Sequence, residues 1–299
     1  MERALNDASR WRIELARELI RFYVPRDGIL MAVLSGSPPK GLSDDYSDLD
    51  VIVFWDEIDT EWLEANPLLE VECERKYFRK TGEADVYLES YYFDELKVDF
   101  GHLTMAVWKE MVDGVLERHE ADPSSLGSIA GFLTSLPLHG AGTVDEWKGR
   151  LAHYPDELAL KIVRQHRRFF VPGYLLNQAF RRGDTLAYYD GLCLMLKNLL
   201  NIWAGLNRTY LSTEEPRWIE YYLDQMTIRP EDASGRMRRA LSGTAEEGVG
   251  ILESLMAETI ALIEEHMPEL ADGYPERWRS MTVRPRATKP EVRRRSGAV

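Results

Sequence analysis

Long apolar runs are missing from this chain, and no segment approaches the ~20 consecutive hydrophobic residues that a membrane-spanning helix requires. The opening residues, Glu2, Arg3, Asn6 and Asp7, are too polar for the apolar stretch of a secretory leader, so the expected address is the cytoplasm. Cysteine is scarce. Cys73 and Cys193 stand far apart with no Cys-x-x-Cys neighbour, which argues against a disulfide framework and against a thiolate zinc site. The histidines, among them His102, His139, His153 and His166, show no metal-ligand spacing either. Positive charge is also short: 37 Lys and Arg face 50 Asp and Glu, a net charge of −13 and a pI near 5.1. Such a balance opposes nonspecific nucleic-acid binding, which depends on neutralising many phosphates, and it favours a neutral or cationic acceptor. Internal repeats and sustained heptads are absent. The only biased block is the tail, where Arg284, Arg286, Lys289, Arg293, Arg294 and Arg295 alternate with Pro285, Pro290 and Gly297, the composition expected of a solvated, flexible end, with a nucleic-acid-binding arm as the alternative.

What is present is ordinary globular material. At 299 residues, with 44% hydrophobic and 29% charged side chains, the chain has room for two domains. Trp11, Leu15, Leu19 and Phe22 recur at helical spacing behind Ser9, predicting an amphipathic opening helix over residues 9 to 22. Short apolar runs follow at Ile29 to Leu34 and Leu49 to Trp55, with strand-like stretches at Val71 to Phe78, Val86 to Phe93 and Leu96 to Thr104. Beyond Ala106 the strand signal nearly vanishes. Pro137, Gly140 and Gly142 place the expected domain boundary near residue 140. Two apolar stripes then mark long helices: Leu192, Met195, Leu196, Leu199, Leu200 and Trp203, and later Leu252, Met256, Ile260, Ile263 and Met267 behind a capping box from Thr244 to Glu247. The expected fold class is α+β: a mixed-sheet domain over 1–140, an all-α helical bundle over 141–270, and a basic tail over 271–299.

The segment that carries chemistry runs from Ser35 to Phe54. Gly36-Ser37 closes the first strand, where a missing side chain lets backbone N–H groups approach phosphate oxygens and the Ser37 hydroxyl adds a donor. Asp48 and Asp50 are two residues apart at a strand entry, so the period of two aims both carboxylates to one side. Adjacent carboxylates repel, and a hard divalent cation such as Mg²⁺ resolves that repulsion. The later strand Leu96-Lys97-Val98-Asp99-Phe100 alternates, putting Lys97 and Asp99 on one face; paired beside the first acidic strand, Asp99 completes a triad. A calcium EF-hand loop fails, because no register from Asp44, Asp45 or Asp48 gives glycine at its sixth position and glutamate at its twelfth. A sugar-nucleotide glycosyltransferase shares Asp-x-Asp but does not require the Gly-Ser turn. The bland alternative for Asp48 and Asp50 is a turn pair, and for Asp99 a solvent-facing strand carboxylate.

The series Gly36-Ser37, a gap, then Ser47-Asp48-Leu49-Asp50-Val51 resembles the polymerase-beta-like nucleotidyltransferase superfamily over residues 29 to 104. The helical second half is similar in plan to its antibiotic-modifying members, the aminoglycoside and lincosamide nucleotidyltransferases. That resemblance implies that Gly36 and Ser37 bind a triphosphate, that Asp48 and Asp50 hold metal, and that Asp99 is a third ligand or the base. It further implies two Mg²⁺ ions and ATP or another NTP, with AMP passing to a hydroxyl of a small molecule and pyrophosphate leaving. Pro38-Pro39 departs from the family, whose members commonly run into a helix there, and leaves the role of Lys40 open. Lys197, at the edge of its stripe, either reaches the triphosphate or snorkels to water. Leu206-Asn207-Arg208-Thr209-Tyr210, with Trp218 beyond, resembles a helix-end segment of such C-terminal domains, and simple capping explains it equally well. Two rivals stand beside the small-molecule acceptor: a toxin-like enzyme acting on tRNA or protein, and a nucleotide-binding regulatory module without turnover.

Overall fold

A computed structural model describes residues 4–82, 85–169, 171–214 and 216–270; the basic tail over 271–299 lies outside them. The architecture is α+β, with a mixed sheet of six strands and many helices. Along the chain come α1 (Asp7–Leu19), β1 (Ile29–Leu34), β2 (Leu49–Trp55), α2 (Thr60–Glu64), β3 (Glu74–Lys80), β4 (Val86–Phe93) and β5 (Leu96–Thr104). Then follow α3 (Met105–Leu116), α4 (Pro123–Leu133), β6 (Leu136–His139), α5 (Ala141–Leu151), α6 (Asp156–His166), α7 (Thr185–Leu206), α8 (Ile219–Gln225), α9 (Ala233–Ser242) and α10 (Ala245–His266). No helix among the described residues is long and apolar enough to cross a membrane.

Strand order is β3-β4-β5-β2-β1-β6. All neighbours are antiparallel except β2 and β5, which run parallel and so begin at the same end of the sheet. Along β2 the alternation is strict. Leu49, Val51, Val53 and Trp55 face a buried core shared with Ile13, Ala16 and Leu19 of α1 and with Val98 and Phe100 of β5. Phe54 points to the opposite face, edge-on to Trp108 of α3 and Phe132 of α4 at ring distances of 5.3 and 5.7 Å. Each such large apolar side chain, fully buried, contributes about 1.5–3 kcal/mol.

The α1 core also encloses a polar knot. Glu89, fully buried, accepts from the Tyr23 hydroxyl at 2.6 Å and from Arg75 at 2.7 Å, while Trp55 Nε1 donates to His102 Nδ1 at 3.2 Å. Burial, with Glu89 beside it, pushes the Tyr23 hydroxyl well above its ordinary pKa, which keeps it a donor.

Several local expectations shift. Asn6, not Ser9, caps α1, its Oδ1 accepting from the Ser9 N–H at 2.8 Å. The buried face of α1 is Ser9, Arg12, Ile13, Ala16 and Leu19, whereas Trp11 and, just beyond the helix, Phe22 stay exposed. Arg12 is the reason: it turns inward and donates through Nε and an Nη to the Ser47 carbonyl, tying the helix to the acidic loop. The third strand begins at Glu74 rather than Val71, because residues 68–73 form turns. Pro137 belongs to β6, an edge strand, where a missing N–H is tolerated.

Two compact units divide the chain, though not near residue 140. The first runs to Ile162 and takes back Arg208–Arg217; the second comprises Val163–Asn207 and the chain from Trp218 onward. Pro137 and Gly140 punctuate an edge strand and the entry to α5, which pack against β1 within the first unit, so their turn signal did not mark a boundary. In the second unit α7 buries Leu192, Met195, Leu196, Leu199, Leu200 and Trp203, and α10 buries Leu252, Met256, Ile260 and Ile263. Both bonds of the Thr244–Glu247 capping box are present.

Candidate active site

Parallel pairing of β2 with β5 sets Asp50 directly opposite Asp99. Paired residues on parallel strands project to the same face, with backbones about 4.8 Å apart, so the two carboxylates are neighbours at the shared starting end of the strands. Asp48, two residues earlier, is close enough that its charge acts on Asp50. Burial, then Asp48 and Asp99, push the Asp50 carboxyl up to about 6, against the opposing pull of Lys97 and Arg217.

The end of β1 closes over this group. The Ser35 N–H donates to the Asp50 carbonyl at 2.8 Å, and Gly36 follows with φ +75°. A Cβ at Gly36 would lie 2.7 Å from Asp50 Oδ2, so backbone conformation and the carboxylate both demand glycine here. Ser37 is buried, its hydroxyl paired with that of Ser43 at 3.1 Å rather than turned outward. Pro38–Lys40 forms one 3₁₀ turn in place of a longer helix, ending at Gly41 with φ +67°. Lys40 is buried, with Nζ donating to the Gly36 carbonyl at 2.7 Å. Burial lowers it to about 8 even though Asp50 opposes the shift.

Asp99 is already engaged. Its Oδ1 accepts from Ser90 Oγ at 2.7 Å and its Oδ2 from Lys97 Nζ at 2.5 Å. Burial pulls Lys97 down, but the bond to Asp99 together with the charges of Asp99, Tyr77 and Asp48 outweighs it and the net direction is up. Among the described residues no three His, Cys, Asp or Glu side chains are grouped closely enough to hold a metal ion as they stand. The donor set nevertheless suits Mg²⁺, being hard carboxylate oxygens, with Asp48 and Asp99 close enough to add to the burial that holds back the ionisation of Asp50. Lys97 supplies the positive charge that a cation would otherwise bring to Asp99.

The remaining sequence candidates separate. Lys197 lies half-buried on α7, in the second unit. Asn207 ties the end of α7 to the chain beyond it, donating to the carbonyls of Trp203 and Ile228 and accepting from the Thr227 and Ile228 N–H groups. Arg208 pairs with Asp156 at 2.6 Å, and Tyr210 packs on Tyr154 with ring centroids 4.6 Å apart. These are structural contacts. They seat the segment Arg208–Arg217 on the first unit, and its last residue, Arg217, comes near enough for its charge to act on Asp50. No local motif announced Arg217. Ser90 was equally invisible because only strand register brings it to Asp99, whereas Lys97 was foreshadowed by its place on the Asp99 face.

No family model and no curated protein matches this sequence. Among solved structures, a nucleotidyltransferase-like protein from Exiguobacterium sibiricum is 14% identical, aligned over 86% of this chain and 78% of its own, with a TM-score of 0.38. The Cid1 poly(U) polymerase in its MgGTP-bound form is 15% identical over 43% of each chain, with a TM-score of 0.27. A cytoplasmic RNA terminal U-transferase is 18% identical over 43% of this chain and 41% of its own, also at 0.27. At these identities and scores the chemistry rests on the residues themselves.

Proposed function

We propose that the chain is a nucleotidyltransferase of the polymerase-beta-like kind, transferring a nucleoside monophosphate from an NTP, with ATP as the first choice, to a hydroxyl of a small molecule. The observation that carries this reading is the side-by-side pairing of Asp50 and Asp99 under a turn whose glycine is pressed against the Asp50 carboxylate. Asp48, Asp50 and Asp99 would hold Mg²⁺, two ions in the fullest form of the reading. When bound, the metal supplies charge stabilisation at the α-phosphate and at the leaving group. The Gly36-Ser37 turn receives the triphosphate. The acceptor oxygen bonds to the α-phosphorus, the bond from that phosphorus to the oxygen bridging to the β-phosphate breaks, and pyrophosphate departs. The hydroxyl proton passes to a carboxylate, for which Asp99 is assigned. Cationic Arg217 and Lys97 flank the acids and counter charge at the phosphates. The net charge of −13 favours a small neutral or cationic acceptor, an aminoglycoside- or lincosamide-like molecule, over tRNA.

The test is transfer from α-³²P-labelled NTPs in Mg²⁺, with products resolved into small-molecule, RNA and protein fractions. Asp48→Asn and Asp50→Asn are expected to lower transfer by at least about a hundredfold, the scale of losing one preorganised electrostatic group. Transfer that survives both substitutions sinks the reading. Label in the RNA or protein fraction moves the acceptor to those classes, and tight NTP binding without pyrophosphate release points to a regulatory module.

A further inference from the structure

A buried lysine needs a compensating reason to stay charged, since desolvation disfavours the ammonium. Lys40 has only 6% of its surface exposed, and its Nζ donates to the carbonyl of Gly36. The peptide linking Gly36 to Ser37 is planar and trans, so a carbonyl drawn toward Lys40 sends the Ser37 N–H the opposite way. Gly36 has φ +75°, in the left-handed region, and Ser37 is right-handed at φ −77°, ψ −34°. Successive residues of opposite hand turn their N–H groups toward one concave side, the form of an anion-binding nest. Neither the Gly36 N–H nor the Ser37 N–H has an acceptor among the described residues, and Pro38 and Pro39 carry no N–H at all. Ser37 contributes no outward hydroxyl, because Oγ is held by Ser43. The turn therefore offers two main-chain donors whose direction is set from behind by one ammonium.

We propose that Lys40 is a positioning residue, which clamps the Gly36 carbonyl so that the Gly36 and Ser37 N–H groups face the phosphates of a polyphosphate ligand. The proposal rests on the nucleotidyl-transfer reading for the identity of that ligand. It assigns a role to the departure at Pro38-Pro39: the short 3₁₀ turn brings Lys40 back under the carbonyl two peptides before the prolines end. Lys40 is not assigned to touch the reacting atoms.

The experiment uses inorganic tripolyphosphate with Mg²⁺ as the probe, on the full chain, in wild type, Lys40→Met and Lys40→Arg. Titration calorimetry reads affinity, and ¹⁵N amide shifts of Gly36 and Ser37 read orientation. Wild type is expected to bind with both amide signals displaced. Lys40→Met is expected to weaken binding about tenfold or more and to lose the Ser37 displacement, while Lys40→Arg, which can still reach the carbonyl, recovers most of both. Methionine keeps the stem and removes a buried charge, so a folded variant is expected, checked by thermal midpoint. Undiminished affinity in Lys40→Met, displacement of amides elsewhere than Gly36 and Ser37, or no tripolyphosphate binding by wild type overturns the proposal. The underlying reading fails separately, through absent pyrophosphate release by wild type across NTPs and acceptors, an outcome that leaves a Lys40-dependent polyphosphate site standing. Conversely, full turnover with an unchanged NTP KM in Lys40→Met overturns the role of Lys40 alone.

Discussion

Removing the charge at Asp50 is expected to stabilise the fold while disabling the site. In the free protein the Asp50 carboxyl is raised from 3.8 to about 6, by burial first and then by Asp48 and Asp99. A carboxylate whose folded pKa lies above its unfolded one is least costly at low pH; the fold loses stability as pH rises toward and through the folded value. With 1.36 kcal/mol per unit, ionised Asp50 costs at most about 3 kcal/mol at pH 7.5 and less than about 1 kcal/mol at pH 4. Asp50→Asn removes that cost and keeps the side-chain shape. In EDTA at pH 7.5 its unfolding midpoint, followed by calorimetry, is expected to rise by as much as about 6–12 °C, using about 2–4 °C per kcal/mol for a unit of this size. At pH 4 the gain is expected to shrink to a degree or so. Millimolar Mg²⁺ should then raise the wild-type midpoint and leave the variant nearly unmoved, because a cation compensates only the carboxylate. A variant no more stable than wild type at pH 7.5, or equally stabilised at pH 4 and pH 7.5, refutes the claim that burial, reinforced by Asp48 and Asp99, makes the Asp50 charge costly to the fold.

Other consequences follow from neighbouring residues. Lys97→Met frees Asp99 from its cation and is expected to tighten Mg²⁺ binding by about threefold to tenfold in calorimetry, since the metal no longer competes with an ammonium for the carboxylate; weaker binding removes Lys97 from that role. Arg217→Ala withdraws a charge that lowers Asp50, so the Asp50 pKa measured by carboxyl NMR should rise further, and the KM for NTP should rise with it; an unmoved Asp50 titration contradicts the placement of Arg217. On the opposite face of the sheet, Glu89→Ala takes the fully buried carboxylate from the half-buried Arg75 and from Tyr23, and denaturant unfolding should show a loss of about 3 kcal/mol. A loss under 1 kcal/mol would mean that the knot around Tyr23 and His102 has other support.

Much of the sheet was legible because β1, β2, β4 and β5 are built from β-branched and aromatic runs separated by Gly or Asp, and their limits fall within a residue or two of the apolar alternation. The shared face of Asp48 and Asp50, and that of Lys97 and Asp99, was legible for the same reason: a period of two fixes which side chains lie together, whereas the register that sets Asp50 opposite Asp99 was not. What lay hidden depends on contacts distant in sequence. The burial of Arg12 beneath Ser47 rotated α1 relative to its hydrophobic stripe, a case of one polar contact outweighing Trp11 and Phe22. β6 was missed because four residues containing Pro137 carry too little strand signal, and pairing to β1 alone makes them a strand. The boundary near residue 140 failed on the same element. Lys40 stood in plain sight within the motif, but its burial depends on the 3₁₀ turn that Pro38 and Pro39 impose, and Arg217 reaches Asp50 only because residues 208–217 return to the first unit.

The most direct measurement is anomalous diffraction from crystals soaked in Mn²⁺ with a non-hydrolysable NTP analogue. Manganese peaks within about 2.0–2.3 Å of oxygens from Asp48 and Asp50, with Asp99 released from Lys97 onto the second ion and the triphosphate against Gly36 and Ser37, are the expected result. Manganese bound elsewhere, or a triphosphate seated away from Gly36, contradicts it.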